Sequence, residues 1–354
     1  MPWKTELYAD HEALGAKLAP FAGVLLPSRY KSNRREYRSA RTTCAVADWG
    51  HHALLRMSGP DSRDFLNRLL SNVVPPPGQG CHTFLLNIQG RPLVEAWLYA
   101  TPDEVWLEVP RSQARIAVEQ FNHYHFTENL KLEEAQLTGI IMVGPRAEKV
   151  LEAVSQGDRP DRPYQATRLK VTRLAGGGQV EVLCTRTPYL GVEALVLWVP
   201  NEQASRVWQR LLHTSLKPSP AGTDALEMLR IEAGTPRFEA DYDENTLFLE
   251  MAPPDSYSET KGCYIGQEVV ARVLHQGHVN RRLVGVSIEG LKRIQGKLFA
   301  DGKEVGRITS GLISPDYGPI ALAYIRRENW HAGTELVTEK GTPARVHELP
   351  FRKG

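Results

Sequence analysis

The chain has 354 residues, enough for two or three domains and for a core that needs no disulfide or metal staple. Hydrophobic residues make up 42% and charged residues 24%, with 29 glycines and 24 prolines, which excludes collagen, coiled coil and wholesale disorder. A net charge of +2 announces no nucleic-acid partner, and Cys44, Cys81, Cys184 and Cys263 lie far apart with no C-x-x-C pair, against a disulfide scaffold or a standard metal cage.

Residues 1–20 carry Lys4, Glu6, Asp10, His11, Glu12 and Lys17, so no apolar signal core is expected there. Apolar stretches such as 191–200 are strand length, short of the ~20 residues of a membrane span. A cytoplasmic protein without a membrane partner is the expectation. The segment 29–41 holds Arg29, Lys31, Arg34, Arg35, Arg38 and Arg41 around Tyr30 and Tyr37, with Glu36 the one acid. That texture has two readings, a nucleic-acid surface and a solvated charged segment; the second is preferred.

A helix is expected over 61–72, where Phe65, Leu66, Leu69 and Leu70 share a face before Pro75-Pro76-Pro77-Gly78 stops the chain. Strands follow over 83–88, 93–100 and 105–109, the first two joined at Gln89-Gly90-Arg91, and a helix over 113–124. His123 and His125 have no third metal ligand nearby, and no metal site is expected. Next come a buried strand over 139–143, a helix from Pro145, a hairpin about Gly176-Gly177-Gly178 and a strand over 190–199. Asn201 caps a helix carrying Val207, Trp208, Leu211 and Leu212, and a further helix over 224–233 ends at Gly234. Short strands over 283–288, 297–299, 304–309, 320–325 and 335–338 then indicate a small barrel or sandwich.

The densest motif is Lys261-Gly262-Cys263-Tyr264-Ile265-Gly266-Gln267-Glu268, followed by Arg272. With a helix expected over 268–274, Cys263 would sit before a helix N-terminus with Lys261 two residues away, and both favour thiolate. The other reading is a small buried thiol in a glycine-rich turn.

This octet resembles the signature of the YgfZ-type folate-binding proteins, whose eukaryotic relatives are mitochondrial iron–sulfur assembly factors. Further segments follow in the family's order. They are Asp48-Trp49-Gly50-His51, Ser58-Gly59-Pro60-Asp61, Leu86-Asn87-Ile88-Gln89-Gly90-Arg91, Leu229-Arg230-Ile231-Glu232-Ala233-Gly234 and Gly306-Arg307-Ile308-Thr309-Ser310. The wider superfamily is that of the glycine-cleavage T-protein, a tetrahydrofolate-using aminomethyltransferase. The resemblance implies an α+β, three-lobed aminomethyltransferase-like fold around a central folate cavity, with a small C-terminal β-barrel. Its first lobe would be discontinuous, 1–50 and 137–262, the second 51–136 and the barrel 275–354, with 263–274 joining them.

It also implies a reduced folate, tetrahydrofolate or a derivative, as cofactor. Glu95 occupies the place of the transferase's catalytic carboxylate, one methylene longer and with Val94 as neighbour; the alternative is an outward-facing strand residue. Tyr99 and Tyr189 are stacking candidates or plain core, and Asn87 belongs to the motif turn. Val196 replaces a pterin-anchoring glutamate, leaving Glu193 as a substitute acceptor. Arg230 sits where a folate-contacting arginine is placed, or is a helix-surface residue. The expected function is support of iron–sulfur cluster assembly or repair, with cluster-assembly proteins or client enzymes as partners. Cys263 is then the functional thiolate at the mouth of the folate cavity, Lys261 and Arg272 tune it, and Gly262 and Gly266 let the loop approach closely. The alternatives are a tetrahydrofolate-dependent aminomethyltransferase using Glu95 and a tRNA-modification-associated factor.

Overall fold

The structure is a computed structural model and describes residues 2–290 and 294–352; residue 1 of the expected first lobe, and 291–293 and 353–354 of the expected barrel, lie outside the described residues. Near-continuous apolar runs such as Leu137–Val143 and Ala194–Pro200 are the pattern of strands buried on both faces, and they form the middle of a seven-stranded sheet. From one edge its strands are Ser155–Gln156, Ala166–Thr172, Gln179–Arg186, Ala194–Pro200, Leu137–Val143, Ala45–Asp48 and Ser219–Pro220. Side chains alternate across it. Ile140, Met142, Leu195, Leu197 and Val199 meet the helices Ala147–Glu152 and Ala204–Leu212, whereas Ile141, Val143, Val196 and Trp198 face a second sheet.

That second sheet runs Gly80–Leu86, Pro92–Ala100, Glu104–Pro110, His52–Ser58 and Lys131–Glu134. Its outer face, with Val94, Ala96, Leu98, Val105 and Leu107, packs on the helices Ser62–Leu69 and Arg111–Tyr124. Its inner face turns Trp97, Tyr99 and Trp106 toward the first sheet, so one aromatic core lies between the two.

Six strands close the C-terminal barrel, in the order Arg281–Ile288, Gly318–Arg326, Lys303–Ser314, Gly296–Ala300, Glu335–Thr338 and Pro343–His347. The α+β expectation with a small C-terminal barrel holds. The sequence reading missed Pro343–His347, because only Ala344 and Val346 mark its inward face. It also missed the helix Asn33–Thr42 inside the basic segment and the small sheet of Trp3–Lys4, Val24–Arg29 and Lys17–Phe21. No helix among the described residues is long and apolar enough to cross a membrane.

Candidate functional site

Period-two alternation along Pro92–Ala100 puts Glu95 on the same inner face as Trp97 and Tyr99. Glu95 is 1% exposed, which corrects the outward-facing alternative. Its Oε1 lies 2.9 Å from His82 Nε2, its Oε2 accepts the Tyr242 hydroxyl at 2.5 Å, and its backbone N–H donates to Gln113 Oε1 at 2.9 Å. A buried carboxylate is tolerable only with such partners. Burial, with Glu95 beside it, pushes the Tyr242 hydroxyl well above its usual range, so it stays protonated and donates.

A second buried carboxylate stands on the neighbouring strand. Glu108 accepts the Trp49 indole N–H at 2.6 Å and the Tyr99 hydroxyl at 2.7 Å; His52 Nδ1 lies 2.9 Å away, in ion-pair range but out of line for a hydrogen bond. Trp97 separates the two sites. His82 stacks on it at 5.1 Å, His52 tilts over it at 5.3 Å, and Tyr189 stands edge-on at 5.4 Å. Tyr189 also meets Trp49 at 5.8 Å. Sequence reasoning missed His82, Tyr242 and Glu108. His82 had a detectable signal, since it shares its strand face with Phe84, the residue paired with Glu95; Tyr242 had none, because it arrives from an irregular segment 147 positions away.

Cys263 lies elsewhere, on a groove of about 950 Å³ between the helix Ser62–Leu69 and the octet loop, flanked by Asp64, Arg68, Val73, Lys261 and Tyr264. Its thiol is exposed. Glu95, Tyr99 and Tyr189 are not among the residues lining this groove, so it is not the mouth of the aromatic site. The helix begins at Gln267, with Gly266 as its cap, which leaves Cys263 three residues outside the cap and beyond the reach of the first-turn dipole. Lys261 donates to the carbonyls of Leu70 and Asn72 at 2.6 and 2.8 Å, and burial lowers its ammonium to about 8. Arg272 pairs at 2.6 Å with Glu268 on the exposed helix face and so does not tune the thiol.

The octet's glycines differ. Gly266 has φ +81°, and a Cβ there would stand 2.5 Å from the Asn87 carbonyl, so close approach is real at this position. Gly262 has nothing within 4 Å of where a Cβ would be. Tyr264 is buried in the cluster joining octet, second sheet and barrel, and Gln267 opens the helix. Asn87 Oδ1 accepts the N–H groups of Gln89 and Arg91, which makes it the keystone of its own turn.

Two family descriptions cover most of the sequence, the GCVT N-terminal domain over residues 7–252 and the glycine cleavage T-protein C-terminal barrel domain over residues 281–353. The chain belongs to the glycine cleavage T-protein family. Among its relatives, an aminomethyltransferase of Cutibacterium acnes is 30% identical over 99% of this chain and 98% of that protein. Another, of Alcanivorax borkumensis, is 30% identical over 99% and 97%. The crystal structure of the glycine cleavage system aminomethyltransferase T from Bartonella henselae has the same fold, with a TM-score of 0.90 at 24% identity over 99% of this chain and 98% of that one.

T-protein family members use tetrahydrofolate. The interior residues carry the kinds of group that the ring end of that molecule needs: Glu95 is an acceptor, Tyr189 has aromatic surface, and Trp106 Nε1 and Gln113 Nε2 are buried donors without a hydrogen-bond partner among the described residues. The expectations for Arg230 at the tail and for Glu193 at the pterin do not hold in this structure. All five N–H donors of Arg230 are engaged, by Glu227 twice, Asp241, Ser310 and the Thr235 carbonyl, leaving none for a folate carboxylate. Nor is it a helix-surface residue, for it is 1% exposed. Glu193 is on the surface, paired with Arg186 at 2.8 Å, and Val196 is sealed in the core, so neither supplies a pterin acceptor here.

Proposed function

We propose that this chain is a tetrahydrofolate-dependent transferase that moves a one-carbon unit from an aminomethyl donor, with Glu95 as the carboxylate of the transfer centre. The observation that carries the reading is the burial of Glu95 between His82 and Tyr242, in the segment whose resemblance to the transferase motif assigns it the catalytic carboxylate. Tetrahydrofolate supplies, when bound, the ring nitrogens that accept the carbon. Tyr189 offers aromatic surface to a flat ring, while Trp97, covered by His82 and His52, helps to exclude water. Glu95 accepts an N–H or a proton from the reacting amine, and His82 at 2.9 Å offers a second proton-holding atom beside it. Tyr242 fixes the other carboxylate oxygen, which leaves one acceptor direction on each oxygen for the substrate. Transfer of labelled carbon to tetrahydrofolate tests this. Glu95→Gln should lower the rate by about 100-fold or more, the range of a positioned acid–base group. Turnover unchanged in Glu95→Gln refutes the assignment.

A second reading is favoured by one observation, the exposed Cys263 thiol on its own groove beside Lys261. In it the chain supports iron–sulfur cluster assembly or repair in the manner of the YgfZ-type proteins. Cys263→Ser in a strain lacking the protein should then fail to restore cluster-enzyme activity while leaving carbon transfer intact. Full restoration removes this reading.

A further inference from the structure

The groove of about 950 Å³ that Cys263 lines is also lined by Lys261, two residues earlier, with Gly262 between them in open space. An apolar wall of Val73, Tyr264 and Ile265 flanks the pair. Of the charged neighbours, Arg68 is paired with Glu128, and Asp64 makes no ion pair among the described residues. The Lys261 amine is held by protein rather than by water. It donates to the carbonyls of Leu70 and Asn72 at 2.6 and 2.8 Å and stands 5.3 Å from the centre of the Tyr264 ring. Among the described residues no carboxylate pairs with it. Two carbonyls take up the two N–H groups of a neutral amine and leave its lone pair unengaged. A desolvated lysine without a counter-ion is a common form of the nucleophilic one. Burial lowers the Lys261 ammonium to about 8, with Cys81 opposing the shift. At pH 7.5 about a quarter of Lys261 is then free amine, against ~0.1% of an ordinary lysine.

We propose that Lys261 is an acyl-acceptor site, at which an acyl thioester in this groove gives its acyl group to Cys263 and Cys263 passes it to the Lys261 amine. Acylation here requires neither reading of the function. In the first step the Cys263 sulfur bonds the acyl carbon, the carrier's carbon–sulfur bond breaks, and the departing thiolate takes the cysteine proton. In the second the Lys261 nitrogen bonds the acyl carbon, the Cys263 carbon–sulfur bond breaks, and the amine proton goes to sulfur. Neither step needs an oxidant or a reductant. Exchange between two thioesters is near balance, whereas amide formation runs downhill, so the acyl group collects on nitrogen. The exposed thiol meets a carrier from solvent more readily than the half-buried amine does, and their shared groove makes the second step intramolecular. The amide product keeps one N–H, so one of the two carbonyls loses its donor. Acylation thus loosens the clasp between the octet and residues 70–72.

Incubation of the full chain with acetyl-coenzyme A at pH 7.5, followed by peptide mapping by mass spectrometry, tests the proposal. Lys261 should be acetylated at least about tenfold faster than any other lysine, well within the ratio of free-amine fractions. Cys263→Ser should slow this labelling by at least about tenfold, since it makes the step bimolecular again. The N-hydroxysuccinimide ester of acetic acid, which attacks amines directly, should label Lys261 equally fast in both proteins. Cys263→Ser should also leave the melting temperature unchanged, because the thiol is exposed and no hydrogen bond holds it among the described residues. Quenching at early times should find a hydroxylamine-labile acetyl group on Cys263 before the label appears on Lys261. Lys261 acetylated no faster than surface lysines overturns the proposal. So does a thioester rate that Cys263→Ser leaves unchanged, or the absence of the labile group on Cys263.

Discussion

Glu95 owes its place to two partners from different parts of the chain, His82 from the adjacent strand and Tyr242 from the segment after the helix Thr223–Ala233. A side chain one methylene shorter would not span both. Glu95→Asp is therefore expected to retain charge but lose one contact, at about 1–3 kcal/mol of stability, read by urea unfolding. Arg230 makes a sharper prediction. Removing its guanidinium leaves Asp241 and Glu227 in the interior without their cation, so Arg230→Ala should cost about 3–5 kcal/mol by the same measurement. A folate-tail arginine would instead change affinity and leave unfolding nearly unaltered. At Lys261 the lowered ammonium means that about half the side chain is free amine near pH 8, against under about one per cent for an ordinary lysine. Acylation followed by peptide mapping should find Lys261 labelled first, its rate rising through about pH 8 and levelling above it. A rate that keeps rising toward pH 10.5, as for surface lysines, contradicts the burial argument.

At the scale of elements, two motifs that look separate in sequence form one joint. The turn at Asn87–Arg91 docks on the start of the helix Gln267–Gln276, with Gly266 against the Asn87 carbonyl and Gly90 against Val269. Gly266→Ala meets both a left-handed backbone penalty of ~1–2 kcal/mol and a clash with backbone. A loss of at least about 2 kcal/mol is expected, measured by urea unfolding, whereas Gly262→Ala, in open space, should be near neutral. Much of the octet thus acts in packing, through Gly266 and Tyr264, with Val270 just beyond it, and the exposed Cys263 sits toward its other end. The basic segment divides in a similar way. Glu36 holds the N–H groups of Tyr30, Lys31 and Ser32 with one oxygen and that of Gly222 with the other, so the one acid is a structural brace. Tyr30 and Tyr37 direct their hydroxyls to His11 and Glu232, which removes both rings' polar ends from any nucleic-acid surface.

At the scale of the whole molecule, the barrel is locked to the body through Tyr37 and Glu232. Tyr37 donates toward Glu232 and Asp316, Ser314 donates to Glu232, and Arg41 pairs with it. Tyr37→Phe should cost about 1–3 kcal/mol and raise amide exchange first around Ser314–Tyr317, where body meets barrel. The elements that set this architecture were legible in the chain because they depend on local pattern. Alternation along 93–100, the apolar face of 61–72 and the short runs after Asn280 need only neighbours in sequence to be read. The family motifs, too, placed Glu95 and Cys263 as candidates without any coordinates. What the linear order could not decide was which side chains are already paired. Arg230 reads as an available cation until Glu227, Asp241, Thr235 and Ser310 close on it, and the last of these comes from the barrel, 80 positions away. Glu95 reads as evenly in or out until Tyr242 arrives from 147 positions downstream. Periodicity is a short-range property of the backbone, so sequence alone determined the strongly patterned elements and their buried faces, though not the helix Asn33–Thr42 or the strand Pro343–His347. Hydrogen-bond satisfaction of a buried charge is a long-range property of the fold, and only the tertiary structure decided which charged groups hold the protein together and which remain free to meet a ligand.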